Sequence, residues 1–146
     1  MRGCWESFAS SDAALSFYAE LAPEARRGTI QDLMQLTHEG DPSAVAAVTR
    51  QAQYLGRGLR LITATLAPEV ILINGAITSC WENFGPIVEG EMRATMLAGV
   101  PPRLEVTSGG ELARLRGAAA IVLRRHTGYN QSATRSPVAA LAGESG

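Results

Sequence analysis

The sequence contains no lysine, and all 13 of its basic residues are arginine. The 14 acidic residues leave a formal net charge of −1. A surface that grips nucleic acid by bulk charge needs an excess of basic residues, so we expect no direct nucleic-acid contact from this segment. The two cysteines, Cys4 and Cys80, are too few for a disulfide framework.

Long apolar runs are also missing. No run approaches the roughly 18 residues that would cross a bilayer, so we expect no membrane partner. The residues after Met1 lack the apolar core of a signal peptide, which favours a cytoplasmic location. Apolar residues make up 46% of the 146 residues and charged residues 18%, which excludes wholesale disorder and suits one domain.

Helical spacing of apolar residues predicts two short helices at the start of the chain. The first helical stretch covers about Trp5 to Leu21, with an interruption at which Asp12 could cap its second part. The second begins at a capping-box pattern, Thr29 followed by Asp32, and ends at Gly40.

Asp41-Pro42 then opens the longest predicted helix, because Asp is a good N-cap and Pro suits the first helical position. Its apolar residues recur at alternating spacings of three and four and form one stripe, which could face a core or an interface: Val45, Val48, Ala52, Leu55, Leu59, Ile62 and Leu66. Gly56 and Gly58 lie inside this helix, and each makes helix formation less favourable by about 1 kcal/mol relative to alanine. They are either tolerated on the surface or required by a closely approaching element, and their proximity favours the second reading.

Strands and helices alternate in the second half. Val70–Ile73 is apolar on both faces and predicts a buried, parallel strand, followed by a turn at Asn74-Gly75. A helix from about Trp81 to Leu97, a strand around Leu104–Val106 and an alanine-rich helix from Glu111 to about Arg125 follow. This order predicts βαβ units. Two strands are too few for a stable open sheet, so segments absent from this chain, or a partner, must complete it.

Four short motifs follow one another along the chain. They are Gly-Cys-Trp-Glu at 3–6, Gly-Asp-Pro at 40–42 with Tyr-Leu-Gly at 54–56, Pro-Glu followed by the strand and Asn-Gly at 68–75, and the Glu-Leu-Ala and Gly-Ala-Ala of the last helix. In this order they resemble the ROK family (repressors, open reading frames and sugar kinases). The resemblance covers about Arg2 to Leu123.

The resemblance implies an α/β fold that is the C-terminal part of an actin-like, ribonuclease-H-like ATPase lobe, helix-rich with few strands. Residues 1–126 would form this fragment of the lobe. Residues 127–146, rich in Ser, Thr, Gly, Ala and Pro, would form a flexible tail. The N-terminal lobe of the family, with its phosphate-binding loop and catalytic aspartate, has no counterpart among these residues, so we expect no catalytic residue and no kinase activity from them alone.

Cys4 and Glu6 are the first candidate site residues. By resemblance, Cys4 is the third cysteine of a structural zinc site, but the other three ligands are absent, so we expect no tight zinc binding. Without the family, Cys4 reads as a small buried hydrophobe. By resemblance, Glu6 hydrogen-bonds sugar hydroxyls, which a carboxylate can do by accepting two protons. The alternative is an ordinary first-turn glutamate favoured by the helix dipole.

The Asn74-Gly75 turn is the candidate nucleotide contact. In the family's kinases two glycines at this place let the backbone approach the nucleotide, and Asn74 replaces the first. Asn tolerates left-handed backbone, so the turn could survive, but its side chain would crowd ATP. Ser108-Gly109-Gly110 is a weaker phosphate-loop candidate and otherwise a simple turn. We interpret Cys80 and Trp81 as structural, and His38 as a solvent-facing residue at a helix end.

Three functions are compatible with the resemblance. The first is a sugar-responsive transcriptional regulator, of which this segment would supply part of the sugar-binding and oligomerisation domain. The second is an ATP-dependent, glucokinase-like sugar kinase that is inactive without its N-terminal lobe. The third is a remnant without function. A sugar ligand and a homo-oligomer are the expected partners, and ATP only for a complete kinase.

Overall fold

The computed structural model describes residues 4–26, 28–94, 100–107, 115–117 and 119–123. Its elements are α1 (Glu6–Ala9), α2 (Ser11–Leu21), α3 (Ile30–Glu39), α4 (Pro42–Leu66), β1 (Val70–Ile73), a 3-10 helix (Ala76–Cys80), α5 (Trp81–Arg93) and β2 (Arg103–Val106). The chain divides into two units, Met1–Ser108 and Gly109–Gly146. All of these elements belong to the first unit. The described part of the second is helical at 115–117 and 119–123.

Side-chain caps fix where the early helices begin. The Oγ of Ser10 accepts a hydrogen bond from the Ala13 amide (3.2 Å), so Ser10 caps α2, and the prediction that Asp12 does so is wrong. Asp12 lies in the first turn instead, where the negative charge of its carboxylate interacts favourably with the helix dipole. The capping box of Thr29 and Asp32 is confirmed, and its hydrogen bonds lower the pKa of the Asp32 carboxyl. Gly40, with φ of 82°, ends α3 as predicted.

Helix α4 forms the centre of the first unit. Asp41 Oδ1 caps it by accepting from the Ala44 amide (2.7 Å), and Pro42 occupies the first turn, as predicted. Helices α1, α2, α3 and α5 all pack against it. Its apolar stripe faces the core around the fully buried Val48 and Ala52, whereas Leu66 at the end of the stripe is exposed. The burial of Val48 and Ala52 makes this part of the stripe a core surface.

The two glycines of α4 lie where neighbouring elements approach closely, which confirms the second reading of the sequence. A Cβ at Gly56 would lie 2.5 Å from the Val88 carbonyl oxygen and 2.6 Å from the Glu91 Cβ, both on α5. Around this contact, Glu91 pairs with Arg57 (3.2 Å) and Arg60 (3.6 Å) of α4. The absence of a side chain at Gly56 therefore sets the spacing between α4 and α5.

Strands β1 and β2 pair in parallel, with Val70 opposite Arg103 and Ile73 opposite Val106, as the alternating pattern predicted. The prediction that β1 is buried is only partly correct, because Ile73 is buried but Leu72 is 62% exposed. The reason is that, in the described ranges, the sheet has two strands, and its Leu72 face has no covering layer.

A 3-10 helix that the sequence did not predict joins the Asn74-Gly75 turn to α5. Phe84, Val88 and Met92 form the buried face of α5, as their spacing indicated. The expected end of this helix at Leu97 lies outside the described residues, as do the expected tail (127–146) and both ends of the alanine-rich helix. Among the described helices, none is long and apolar enough to cross a membrane.

Two helical glycines give opposite predictions for stability. Gly56→Ala should lower the free energy of unfolding by about 1 to 3 kcal/mol, because the new methyl group forces α4 away from α5. Gly90→Ala, on α5, meets nothing within 4 Å and should raise it by up to about 1 kcal/mol through helix propensity. Urea unfolding followed by circular dichroism measures both. Equal effects of the two substitutions would contradict the close contact.

Candidate functional site

A cavity of about 430 Å³ lies among α1, α2, α4, β1 and the turn after β1. Most of its lining is aliphatic, with an indole from Trp5 and polar groups from Ser10, Ser11, Gln51 and Asn74. A mainly apolar cavity with a few converging polar groups is the usual form of a small-molecule site. It also lies at the carboxyl end of β1, where open α/β sheets bind ligands.

Trp5 fixes the start of α1 to the side of α4. Its indole Nε1 donates a hydrogen bond to the Tyr54 carbonyl oxygen (2.8 Å). A Cβ at Gly58 would overlap the indole ring, so only glycine at this position lets the ring lie on the helix. Phe8 packs against Tyr54 in a tilted arrangement, with ring centroids 4.9 Å apart, which adds a second contact between α1 and α4. The short helix α1, too short to be stable alone, is held by these contacts.

Gln51 is the polar residue in the cavity wall that sequence reasoning missed. It is only 4% exposed, and its Nε2 donates to the carbonyl oxygens of Ala9 (3.1 Å) and Ser10 (3.0 Å), the residues between α1 and α2. Its Oε1 is buried without a hydrogen-bond partner among the described residues. The available signal was a glutamine three residues after Val48, on the apolar face of the long helix.

Asn74 and Gly75 both line the cavity, as expected for a binding turn. Gly75 has φ of 121° and ψ of −178°, a conformation open essentially only to glycine. Asn74 does not have positive φ, so the left-handed tolerance of asparagine is not what preserves the turn. The Thr78 amide (3.1 Å) and hydroxyl (2.7 Å) donate to the Gly75 carbonyl and hold the turn against the 3-10 helix.

Cys4 and Glu6 lie at the start of α1, outside the lining of the cavity. Both are exposed, so the interpretation of Cys4 as a buried hydrophobe is wrong. In the part of the chain that the structure describes, no three His, Cys, Asp or Glu side chains are grouped as metal ligands. These residues therefore do not fit a zinc ion at Cys4. Ser108-Gly109-Gly110 lies outside the described residues.

A comparison with models of known protein families shows to which family the chain belongs. The model of the ROK family matches residues 1–125. The chain belongs to the ROK family. The match includes the Trp5 anchor, the cavity and the turn after β1.

The ROK relatives with curated names include the xylose repressor of Bacillus spizizenii. It is 31% identical over 103 residues, which are 70% of this chain and 25% of the repressor. The xylose repressor of Bacillus subtilis is 30% identical over the same shares. The chain thus spans about a quarter of the length of the curated relatives it matches.

Solved ROK structures share the fold. A ROK glucokinase from Streptomyces griseus, solved with glucose and AMPPNP, superimposes with a TM-score of 0.73 at 20% identity, over 83% of this chain and 45% of the glucokinase. A ROK transcriptional regulator homologous to the E. coli MLC protein gives a TM-score of 0.60 at 25% identity, over 71% of this chain and 29% of the regulator. The fold is therefore that of part of a ROK protein, with helices predominating over the two strands described.

The Trp5 anchor predicts the effect of Gly58→Ala in a Trp81→Phe background, where Trp5 is the remaining tryptophan. The added methyl group should displace the indole, break its bond to the Tyr54 carbonyl and lower the free energy of unfolding by about 1 to 3 kcal/mol. Trp5 fluorescence should shift to longer wavelength as the ring enters water. Gly90→Ala in the same background is the control and should leave the emission unchanged, whereas an unshifted spectrum for Gly58→Ala would contradict the anchor.

Proposed function

We propose that this chain is the C-terminal part of the sugar-binding and oligomerisation domain of a sugar-responsive transcriptional regulator. The observation that carries the proposal is the 31% identity to a xylose repressor over 70% of the chain. The corresponding fold would be the C-terminal part of an actin-like ATPase lobe. DNA contact would then come from a part of the protein outside these residues, in keeping with the net charge of −1.

Glu6 is the proposed sugar contact. The hydrogen bond from Trp5 to the Tyr54 carbonyl places the adjacent Glu6 at the exposed start of α1. An exposed carboxylate has free lone pairs for two hydroxyl donors, which neighbouring hydroxyls of a sugar ring supply. Sugar binding would therefore couple directly to the packing of α1 on α4. A regulator needs such a coupling, because its ligand must favour one conformation over another.

The turn after β1 supports a regulator over a kinase. Asn74 puts a side chain at the cavity where the family's kinases have the first of two glycines. A kinase needs that backbone close to its nucleotide, because phosphoryl transfer depends on positioning the phosphates. The similarity to the Streptomyces griseus glucokinase, at 20% identity, concerns the fold alone. A kinase is thus the alternative outcome of the test.

The test begins with the coding sequence upstream of Met1, because the chain spans about a quarter of its curated relatives. We expect an open reading frame that encodes a winged helix-turn-helix. The protein of that extended frame should bind operator DNA and lose affinity for it, by about tenfold or more (about 1.4 kcal/mol), when its sugar is added. Xylose and glucose are the first sugars to test in an electrophoretic mobility assay.

Two matched variants of the extended protein test the role of Glu6. Glu6→Gln should abolish the sugar response and leave DNA affinity intact, because the amide replaces one acceptor oxygen by a donor. Glu82→Gln, which alters another exposed first-turn glutamate at the start of α5, should keep the response. ATP-dependent hexose phosphorylation by the extended protein would overturn the regulator in favour of the kinase. A stop codon directly upstream would favour a remnant.

A further inference from the structure

Three side chains with metal-ligating atoms meet where α3 packs against the 3-10 helix. Met34 and His38 are one helical turn apart on α3, and Cys80 is the last residue of the 3-10 helix. The Cys80 Sγ lies 3.4 Å from the His38 Nε2 and 4.0 Å from the Met34 Sδ. The Cys80 thiol thus lies close to both a thioether and an imidazole nitrogen of α3.

These separations match those of ligands that share a metal ion. Metal–sulfur and metal–nitrogen bonds of about 2.3 and 2.0 Å give ligand-to-ligand distances of about 3.5 to 4.0 Å around a trigonal or tetrahedral centre. The Cys80–Met34 distance lies at the upper end of this interval, and the Cys80–His38 distance of 3.4 Å lies just below its lower end. Without a metal ion, the same contacts are hydrogen bonds of the Cys80 thiol group.

We propose that Met34, His38 and Cys80 form a binding site for a soft monovalent metal ion of the copper(I) class. Thiolate and thioether ligands select copper(I), whereas a hard cation prefers oxygen. Zinc fits less well, because its sites use thiolate, imidazole and carboxylate, and here the third ligand is a thioether. The site is independent of the proposed regulatory function, since none of its residues lines the cavity.

The surroundings of the three ligands suit a small ion with one open approach. Cys80 is 3% exposed and Met34 is 5% exposed, and both belong to the buried core cluster. His38 is exposed in the last turn of α3 and gives an ion access from solvent. Binding would form one Cu–S(thiolate) bond while the Cys80 thiol proton leaves to solvent, with no change in the oxidation state of the metal.

The test titrates the 146-residue chain with copper(I), under anaerobic conditions with a reductant, against the colorimetric chelator bicinchoninate. We expect one equivalent to transfer to the protein, and X-ray absorption to show two sulfur ligands and one nitrogen ligand. Cys80→Ala should abolish the transfer. Met34→Leu and His38→Gln should each weaken it by at least the roughly 10- to 100-fold known for lost outer-shell partners of a metal site.

Cys4→Ala is the matched control, because it removes the other, exposed cysteine and leaves the three ligands in place. It should bind copper(I) like the unchanged protein. Circular dichroism checks that each variant is folded. If Cys80→Ala unfolds, Met34→Leu and His38→Gln decide, since the first conserves side-chain volume and the second is at the surface. Wild-type affinity in both variants, binding that depends on Cys4, or tighter binding of zinc than of copper(I) would each overturn the site.

Discussion

Two neighbours, α5 and the Trp5 side chain, approach α4 so closely that only glycine fits at the contacts. The packing of the first unit depends on these two contacts. The Val88 carbonyl of α5 occupies the space where Gly56 would carry a methyl group, and the Trp5 indole does the same at Gly58. Two glycines lower the intrinsic stability of the helix. The dispersion contacts that form at such short distances offset this loss. Helix α4 thereby positions both α5 and α1.

The candidate site follows from that arrangement. Trp5 holds α1 against α4, and Gln51 of α4 binds the carbonyl groups of Ala9 and Ser10, between α1 and α2. The Ser10 carbonyl also accepts from the Ala14 amide (3.2 Å), so the bonds from Gln51 chiefly tie the junction of α1 and α2 to α4. The Gln51 Oε1 remains without a partner in the described part of the chain. One interior acceptor thus points to where a polar ligand group could bind.

The features that could be predicted from the sequence are those that depend on near neighbours in the chain. They include the caps at Thr29 and Asp41, the left-handed Gly40 and the parallel pairing of β1 with β2. The cap of α2 was misassigned because consecutive polar residues all favour that position. The exposure of Leu72 and the meeting of Met34 with Cys80 depend on tertiary packing, which no local pattern records.

The turn after β1 separates two roles that glycine plays. At Gly75 a Cβ would meet nothing within 4 Å, so space does not require glycine there, whereas φ of 121° does. A glycine at this position is therefore needed by the chain whether or not a nucleotide binds, and it carries no information about ATP. Position 74 has no such backbone constraint, since its φ is not positive. Asn74 is thus the informative residue of the turn, because the backbone does not dictate its identity and it lines the cavity.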